Sequence, residues 1–170
     1  MKNLLEGVPL VARAELPTPL GPMTALATHH GLAALLFGSD KYHPGPFDVP
    51  IDDANPHLQA AQRWLDAYWA GQDPDTRALR FDLHGTPFQR AVWRVLLEIP
   101  LGRTWTYGEV AARVGSGAVP RATGTAIGRN PVAVIVPCHR VIGANGSLTG
   151  YAGGLPLKEK LLQHEGLLLT

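Results

Sequence analysis

The sequence predicts an α+β protein in two parts. A small N-terminal α/β part with antiparallel strands takes residues 1–80. A mainly helical part with a helix-turn-helix and a short strand takes 81–170, the connection running to about residue 84. Three observations predict this. Residues 23–30 (MTALATHH) and 31–37 (GLAALLF) alternate as strands do about a His29-His30-Gly31 turn. From residue 86 onward, capping signals and apolar stripes of helical spacing recur. Charge divides at the same place: residues 1–80 carry six Lys/Arg against nine Asp/Glu, and residues 81–170 carry nine against five.

Each element has its own signal. The stretch 42–50, rich in Pro and Gly, reads as loop. Asn55 and Pro56 stand at N-cap and N1 of a helix, with Leu58, Ala61, Leu65, Tyr68 and Trp69 on one face and Gly71 at its end. Trp64 and Trp69 are expected in the core or between the two parts. Residues 71–84 read as a connection. TPFQ at 86–89 is a capping box that opens a helix with Phe88, Ala91, Val92, Val95, Leu96 and Ile99 as its stripe. TYGE at 106–109 is a second such box, for a short helix ending near Gly115, and Pro120 starts another that reaches about Arg129. Two short helices about a Gly-containing turn are a helix-turn-helix candidate. The run VAVIV (132–136) is too short for a helix and reads as a buried strand leading into PCHRV (137–141). A loop of small residues, GANGSLTGYAGG, follows, then an amphipathic helix closed by Gly166.

Composition narrows the function. The chain has 170 residues, 45% of them hydrophobic and only 17% charged, which argues for a packed core and against disorder. Its apolar runs are too short to span a bilayer. Glu6, Arg13 and Glu15 interrupt what would be a leader. A cytoplasmic protein with no membrane partner is expected. One cysteine excludes an internal disulfide and a multi-thiolate zinc site. His29 and His30 could suggest a metal, but turn histidines are more often solvated, so neither metal nor cofactor is expected. The basic second half, seven of its nine cations being arginine, suits phosphate contacts.

Cys138 is the residue with chemistry to offer. A lone cysteine is ordinarily a buried apolar filler. Here Pro137 precedes it and His139 and Arg140 follow. A thiol beside basic or cationic groups gives up its proton more readily, and the thiolate is the nucleophile. Glu165, 26 residues on, can fix the tautomer of His139 so that its other nitrogen acts as base. On a strand, Cys138 and His139 would point to opposite faces, so His139 acts through a water or the chain bends.

The stretches GTPFQRAVWRVLLEIPLGRTWTYGEVAARVG, RATGTAIGRNPVAVIVPCHRVI and GYAGGLPLKEKLLQHEG together resemble the O6-alkylguanine-DNA alkyltransferase family. Residues 84–166 carry the likeness densely and residues 18–37 more loosely. The resemblance implies a ribonuclease-H-like N-terminal domain and a C-terminal domain that binds DNA and accepts the alkyl group. It implies direct-reversal repair, in which O6-alkylguanine is flipped from double-stranded DNA and its alkyl group moves irreversibly to Cys138 in a single turnover. O4-alkylthymine is a second candidate substrate. The protein would act as a monomer.

Residue by residue, the resemblance makes Cys138 the acceptor and His139 its base through a water, with Glu165 orienting the imidazole. It makes Asn130 a hinge before the active-site strand. Tyr107 would donate a proton to the leaving purine and crowd the phosphate. Arg121, Ala122 and Gly124 would lie on the DNA-reading helix, with Arg121 entering the stack in place of the base. Val141, Tyr151, Ala152, Gly153, Gly154 and Lys158 would form the substrate pocket. Ala152 stands where many members carry Ser, and Ala133 where some carry Pro; both bear on the alkyl group tolerated. Extrusion is needed because O6 lies within the duplex, a guanidinium can stack in the vacated space, and a thioether has no evident route of release. Two alternatives remain at this point. Alkyltransferase-like proteins bind lesions or recruit partners but lack the acceptor Cys, which is present here. A cysteine hydrolase would turn over without DNA and would leave the helix-turn-helix unexplained.

Overall fold

The computed structural model describes residues 4–41, 43, 47–115 and 117–167. Three strands, β1 (Ala12–Leu16), β2 (Met23–Ala27) and β3 (Leu32–Phe37), form an antiparallel meander in the order β1-β2-β3. The β2–β3 hairpin turns at His29-His30-Gly31 as the sequence predicts, with a register shift at Leu26/Ala27. β1 is not predicted by the reading above, although Ala12, Ala14 and Leu16 are buried and Arg13 and Glu15 lie between them. Alanine as the inward residue gives alternation too little hydrophobic contrast to stand out. β3 is buried along its whole length. Leu32, Leu35 and Phe37 face the main core, and Ala34 and Leu36 join Leu26 in a small cluster beneath Leu5, Leu10 and Phe47.

Both edges of the sheet are covered, which removes templates for unwanted pairing. Against β1, Arg13 N donates to Pro50 O at 3.0 Å, and Asp52 N donates to Arg13 O at 3.0 Å. Against β3, Leu32 N donates to Arg80 O and Asp82 N to Leu32 O, both at 2.8 Å. Further along β3, Leu35 N donates to Pro131 O at 2.8 Å and Ala133 N to Leu35 O at 2.9 Å. The connection 71–84 is therefore partly a sheet edge, preceded by a 3₁₀ turn at Thr76–Ala78. Of the predicted loop 42–50, residues 43 and 47–50 carry no helix or strand, and residues 42 and 44–46 lie outside the described residues.

Helix α1 (Pro56–Trp69) begins where predicted. Asn55 Oδ1 accepts from His57 N and Leu58 N, and Gly71 follows the cap at φ +87°. Its face of Leu58, Ala61, Trp64, Leu65 and Tyr68 is buried. Helix α2 (Pro87–Leu96) carries the complete Thr86–Gln89 capping box. One member of its expected stripe is misplaced: Phe88 is 36% exposed, and Trp93 is the aromatic that fills the core, its indole N–H donating to Ala126 O at 2.9 Å. Strand β4 (Trp105–Thr106) leads into α3 (Tyr107–Val114), where Thr106 Oγ1 accepts from Glu109 N. No return bond from the Glu109 side chain is made among the described residues, so this cap is half a box. Helix α4 (Pro120–Gly128) packs on α2 and α3, completing the helix-turn-helix.

The predicted strand over 132–136 is not formed. Val132 makes a single bridge to Leu35, and the chain then turns tightly, with Val134 at φ +71°. Pairing needs a neighbour along the whole run, and β3 offers it only at Leu35. Pro137 leads into a 3₁₀ turn, Cys138–Arg140, and β5 (Val141–Ile142) pairs in parallel with β4. Helix α5 (Leu155–His164) ends at Gly166, φ +82°. One continuous core draws on both parts of the chain.

Gly31 lets the connection lie on β3. A Cβ there would stand 2.6 Å from Arg80 O and 2.9 Å from the backbone carbon of Phe81. Gly31→Ala should therefore lower unfolding stability by about 2 kcal/mol, a fall of several degrees in Tm, whereas Gly38→Ala, which meets nothing within 4 Å, should change it by less than about 0.5 kcal/mol. Equal Tm values for the two variants would show that the connection yields freely.

Candidate active site

The turn before Cys138 is held by one side chain. Asn130, buried just beyond α4, accepts from Val132 N at 3.0 Å through Oδ1. Its Nδ2 donates to Val136 O at 2.8 Å and to Val132 O at 3.3 Å. These bonds close a turn that contains a β-branched residue in the left-handed region, a conformation that costs on the order of 1–3 kcal/mol. In the 3₁₀ turn that follows, successive side chains diverge by roughly 120°. Cys138 faces a cavity, while His139 and Arg140 turn back toward the end of α5. The bend that adjacent Cys and His require is thus a 3₁₀ turn.

His139 Nε2 lies 2.6 Å from Glu165 Oε2, both side chains being inaccessible. An ionised carboxylate only accepts, so Nε2 carries the proton and Nδ1 the lone pair. Nδ1 is buried and, among the described residues, has no protein hydrogen-bond partner. Arg140 donates from Nε to Glu165 Oε1 at 2.7 Å, from Nη2 to Oε2 at 3.3 Å, and from Nη1 to Ile99 O at 2.8 Å. Tyr68 of α1 donates its hydroxyl to Glu165 Oε2 at 2.7 Å.

The charges follow from this packing. Burial would raise the Glu165 pKa, but the hydrogen bonds and charges of His139 and Arg140 outweigh it and bring it down to about 2. Burial lowers the pKa of His139, against the pull of Glu165, and keeps the ring neutral. Burial also pushes the Cys138 thiol up to about 11, although a hydrogen bond from Asn130 and the charge of Lys158 work the other way. The thiol is therefore protonated at rest, contrary to the expectation from its basic sequence neighbours. Arg140 does not serve the thiol, because its guanidinium is committed to Glu165 and Ile99 O.

The cavity measures about 440 Å³. Cys138, Asn130, Tyr107, Gly124, Tyr151 and Ala152 line it, and Arg121, exposed in the first turn of α4, also borders it. Ala133, Asp40 and Lys41 line it as well. Gly124 sits against Tyr107, since a Cβ would lie 3.4 Å from the ring. Tyr107 donates its hydroxyl to Thr149 O at 3.3 Å. Ala122 is exposed on α4 and does not line the cavity.

Four expected pocket residues stand behind its wall. Val141 is buried in β5, and its carbonyl accepts from Lys158 Nζ at 2.6 Å. Lys158 also donates to Thr149 O at 2.7 Å and Gly150 O at 3.3 Å, and burial lowers its pKa to about 8. Gly153 accepts from Ser39 Oγ at 2.8 Å, and a Cβ on it would meet the Tyr151 ring at 2.9 Å. Gly154 supplies φ +99° at the start of α5. Lys41 N donates to Ala152 O at 2.8 Å, so the end of β3 fastens the loop of Tyr151. The sequence reading missed Ser39, Asp40 and Lys41, the bracing by Arg140 and the Tyr68 hydroxyl. His29 and His30 are exposed at the hairpin turn, away from the cavity.

Two family models match the chain. The 6-O-methylguanine DNA methyltransferase ribonuclease-like domain matches residues 12–83, and the DNA binding domain of the same name matches residues 87–167. The methylated-DNA–protein-cysteine methyltransferase of Methanosarcina acetivorans is 44% identical over 153 residues, 88% of this chain and 94% of that one. That of Mycobacterium tuberculosis is 43% identical over 148 residues, 87% and 88% of the two chains. The crystal structure of Mycobacterium tuberculosis OGT in complex with DNA superposes with a TM-score of 0.82 at 42% identity, covering 92% of this chain and 93% of that one.

Acid should loosen this site in two stages. The folded pKa of His139 lies below its ordinary 6.5, so its contribution to stability is present above that pH and declines as pH falls through it. Glu165 descends from an ordinary 4.5 to about 2, so its contribution, on the order of 3 kcal/mol, is full above pH 4.5 and lost towards pH 2. In urea unfolding, the stability gap between wild type and Glu165→Gln should narrow between pH 5 and pH 3. A gap constant with pH would mean that the carboxylate is not held ionised.

Proposed function

Given that this chain belongs to the 6-O-methylguanine DNA methyltransferase family and repairs DNA by alkyl transfer to its own cysteine, we propose that Cys138 takes the group from O6 of a guanine flipped out of the duplex, once per protein molecule. The observation that carries this reading is the position of the chain's one cysteine in a cavity, next in sequence to a histidine whose Nδ1 is buried and bonded to no protein atom among the described residues. A neutral imidazole nitrogen with its lone pair available is suited to accept a proton.

The thiol is protonated at rest, so it needs a base. Its proton passes through a bridging water to His139 Nδ1, and the resulting imidazolium is stabilised by Glu165. Sγ attacks the alkyl carbon in line with the C–O bond. A C–S bond forms, the C–O bond breaks, and its electron pair leaves on the purine. Tyr107, on the cavity wall, donates a proton to that purine as charge develops, and the imidazolium proton returns through solvent to the Tyr107 phenolate. Overall the thiol exchanges its proton for the alkyl group, and guanine gains the proton. The thioether has no leaving group, so the molecule is spent.

Delivery of the base falls to α4. Arg121 borders the cavity, and its guanidinium is the group to stack in the space the guanine vacates. A cavity of this volume is large enough to admit a flipped base. The substrate of this reaction is double-stranded DNA that carries the alkylated guanine. No helix among the described residues is long and apolar enough to cross a membrane.

Incubation with a duplex containing O6-methylguanine should add one methyl group to the peptide that holds Cys138, read by intact-protein and peptide mass spectrometry. No gain, or a methyl elsewhere, would overturn the assignment. Cys138→Ala should bind the duplex and transfer nothing. Arg121→Ala should slow reaction with the duplex lesion roughly tenfold or more, a loss of about 1.4 kcal/mol, and slow reaction with free O6-methylguanine less. Equal losses on both substrates would remove the role in base extrusion.

A further inference from the structure

One hydrogen bond to Glu165 has no part in the reaction above. Tyr68 reaches it from α1, in the N-terminal part, and places its hydroxyl 2.7 Å from Oε2. The same oxygen takes His139 Nε2–H at 2.6 Å. The Tyr68 side chain cannot swing aside. It is 1% exposed, stacked on Trp64 with centroids 5.5 Å apart and met edge-on by Trp69 at 4.9 Å. On its α5 side, His164 lies 4.8 Å from the ring and its Nε2 is 2.9 Å from Tyr68 O. Burial, and then Glu165, raise the pKa of the phenol, so it stays a donor throughout the working range.

We propose that Tyr68 is a positioning residue for alkyl transfer, which draws on the negative charge of Glu165 Oε2 and so restrains His139 from taking the proton of Cys138. The proposal rests on the role given to Cys138 and His139 above. When His139 accepts a proton through Nδ1, the imidazolium is stabilised by the charge on Glu165. An oxygen that already accepts from Tyr68 and Arg140 has less charge to offer a third donor. The other charged groups that bear on the ring are Arg140 in its own turn and Lys158 on α5, and both disfavour the imidazolium. Tyr68 acts in the same direction without carrying charge, and it alone of these groups comes from the N-terminal part. The restraint has a purpose in a protein whose one thiol is used once, since a thiolate formed early is lost to any small electrophile.

Tyr68→Phe removes the hydroxyl and keeps the ring. Carbamidomethylation of Cys138 by iodoacetamide, without DNA, should then run roughly three- to tenfold faster at pH 7, the upper figure being about one pKa unit of His139. The ¹⁵N resonances of the His139 ring should titrate at higher pH than in wild type, and the acidic limb of methyl transfer from O6-methylguanine duplex should move up by the same amount. Site-specific 3-fluorotyrosine at position 68, a stronger donor, should shift all three readouts the other way and covers the case in which Tyr68→Phe fails to fold. Unchanged reactivity and titration in a less stable protein would reduce Tyr68 to packing. A slower thiol in Tyr68→Phe would reverse the sign and overturn the restraint. The first two readouts need no DNA, so a wild type that transfers no methyl would sink the proposed function and leave this inference to be judged on them.

Discussion

A single buried carboxylate organises this molecule. Glu165 lies out of reach of solvent and stays ionised, which in an apolar interior costs several kcal/mol unless donors replace the lost water. Four donors do so, from Tyr68, His139 and two nitrogens of Arg140. They bring together α1, the 3₁₀ turn and the end of α5, and Arg140 extends the network to Ile99 O after α2. None of these groups can be withdrawn without leaving a charge or a polar atom stranded. The two parts of the chain therefore share a network as well as a core, and the N-terminal part supplies one of the groups that set the chemistry.

The thiol is placed by a second constraint, carried by the backbone. The edge of β3 takes hold of Pro131 and Ala133 at Leu35, and Asn130 closes the next few residues over Val134. A strained residue persists only where its surroundings over-determine it. Here the sheet fixes one side of the turn and Asn130 the other, so Cys138 starts from a rigid platform. The opposite wall of the cavity is a loop tied at separate points. Ser39 and Lys41 bond to the carbonyls of Gly153 and Ala152, and Lys158 gathers those of Thr149 and Gly150. A firm floor and a tethered wall suit a site that holds its nucleophile still while it admits a base.

What could be read from the sequence divides along physical lines. Asn55, Thr86 and Gly166 announce helix ends because the cap is a local interaction between neighbours in sequence. That His139 and Glu165 would meet beside Cys138 was legible from residue type and from a resemblance dense over residues 84–166, but the burial that keeps the thiol protonated was not. The pairing of 80–82 and 131–133 with β3 was not, because backbone hydrogen bonds leave no mark on side-chain type. The tight turn over 132–136 reads as a strand because five apolar residues look alike whether paired or folded back. Phe88 falls on the helical stripe by spacing, yet the core is filled by Trp93, whose N–H requires the distant Ala126 O. Tyr68 belongs to the apolar face of α1, and periodicity treats it as it would treat Phe. Only the fold reveals that its hydroxyl meets a carboxylate 97 residues away.

The resting charge state follows from the same economy of donors. A catalyst that turns over gains from a standing thiolate, since each cycle regenerates it. A protein spent by one reaction gains from a thiol that ionises only when the correct electrophile is seated. Burial holds Cys138 protonated and His139 neutral, and Glu165, shared among four donors, offers the imidazole limited help. Selectivity is thereby shifted from the strength of the nucleophile to the placement of the base. On the proposed mechanism, only a group held at the cavity floor for long enough meets Sγ in line while the proton is on His139. The burial that makes Cys138 look like a core filler in composition is, in the fold, the means by which it is kept for the lesion.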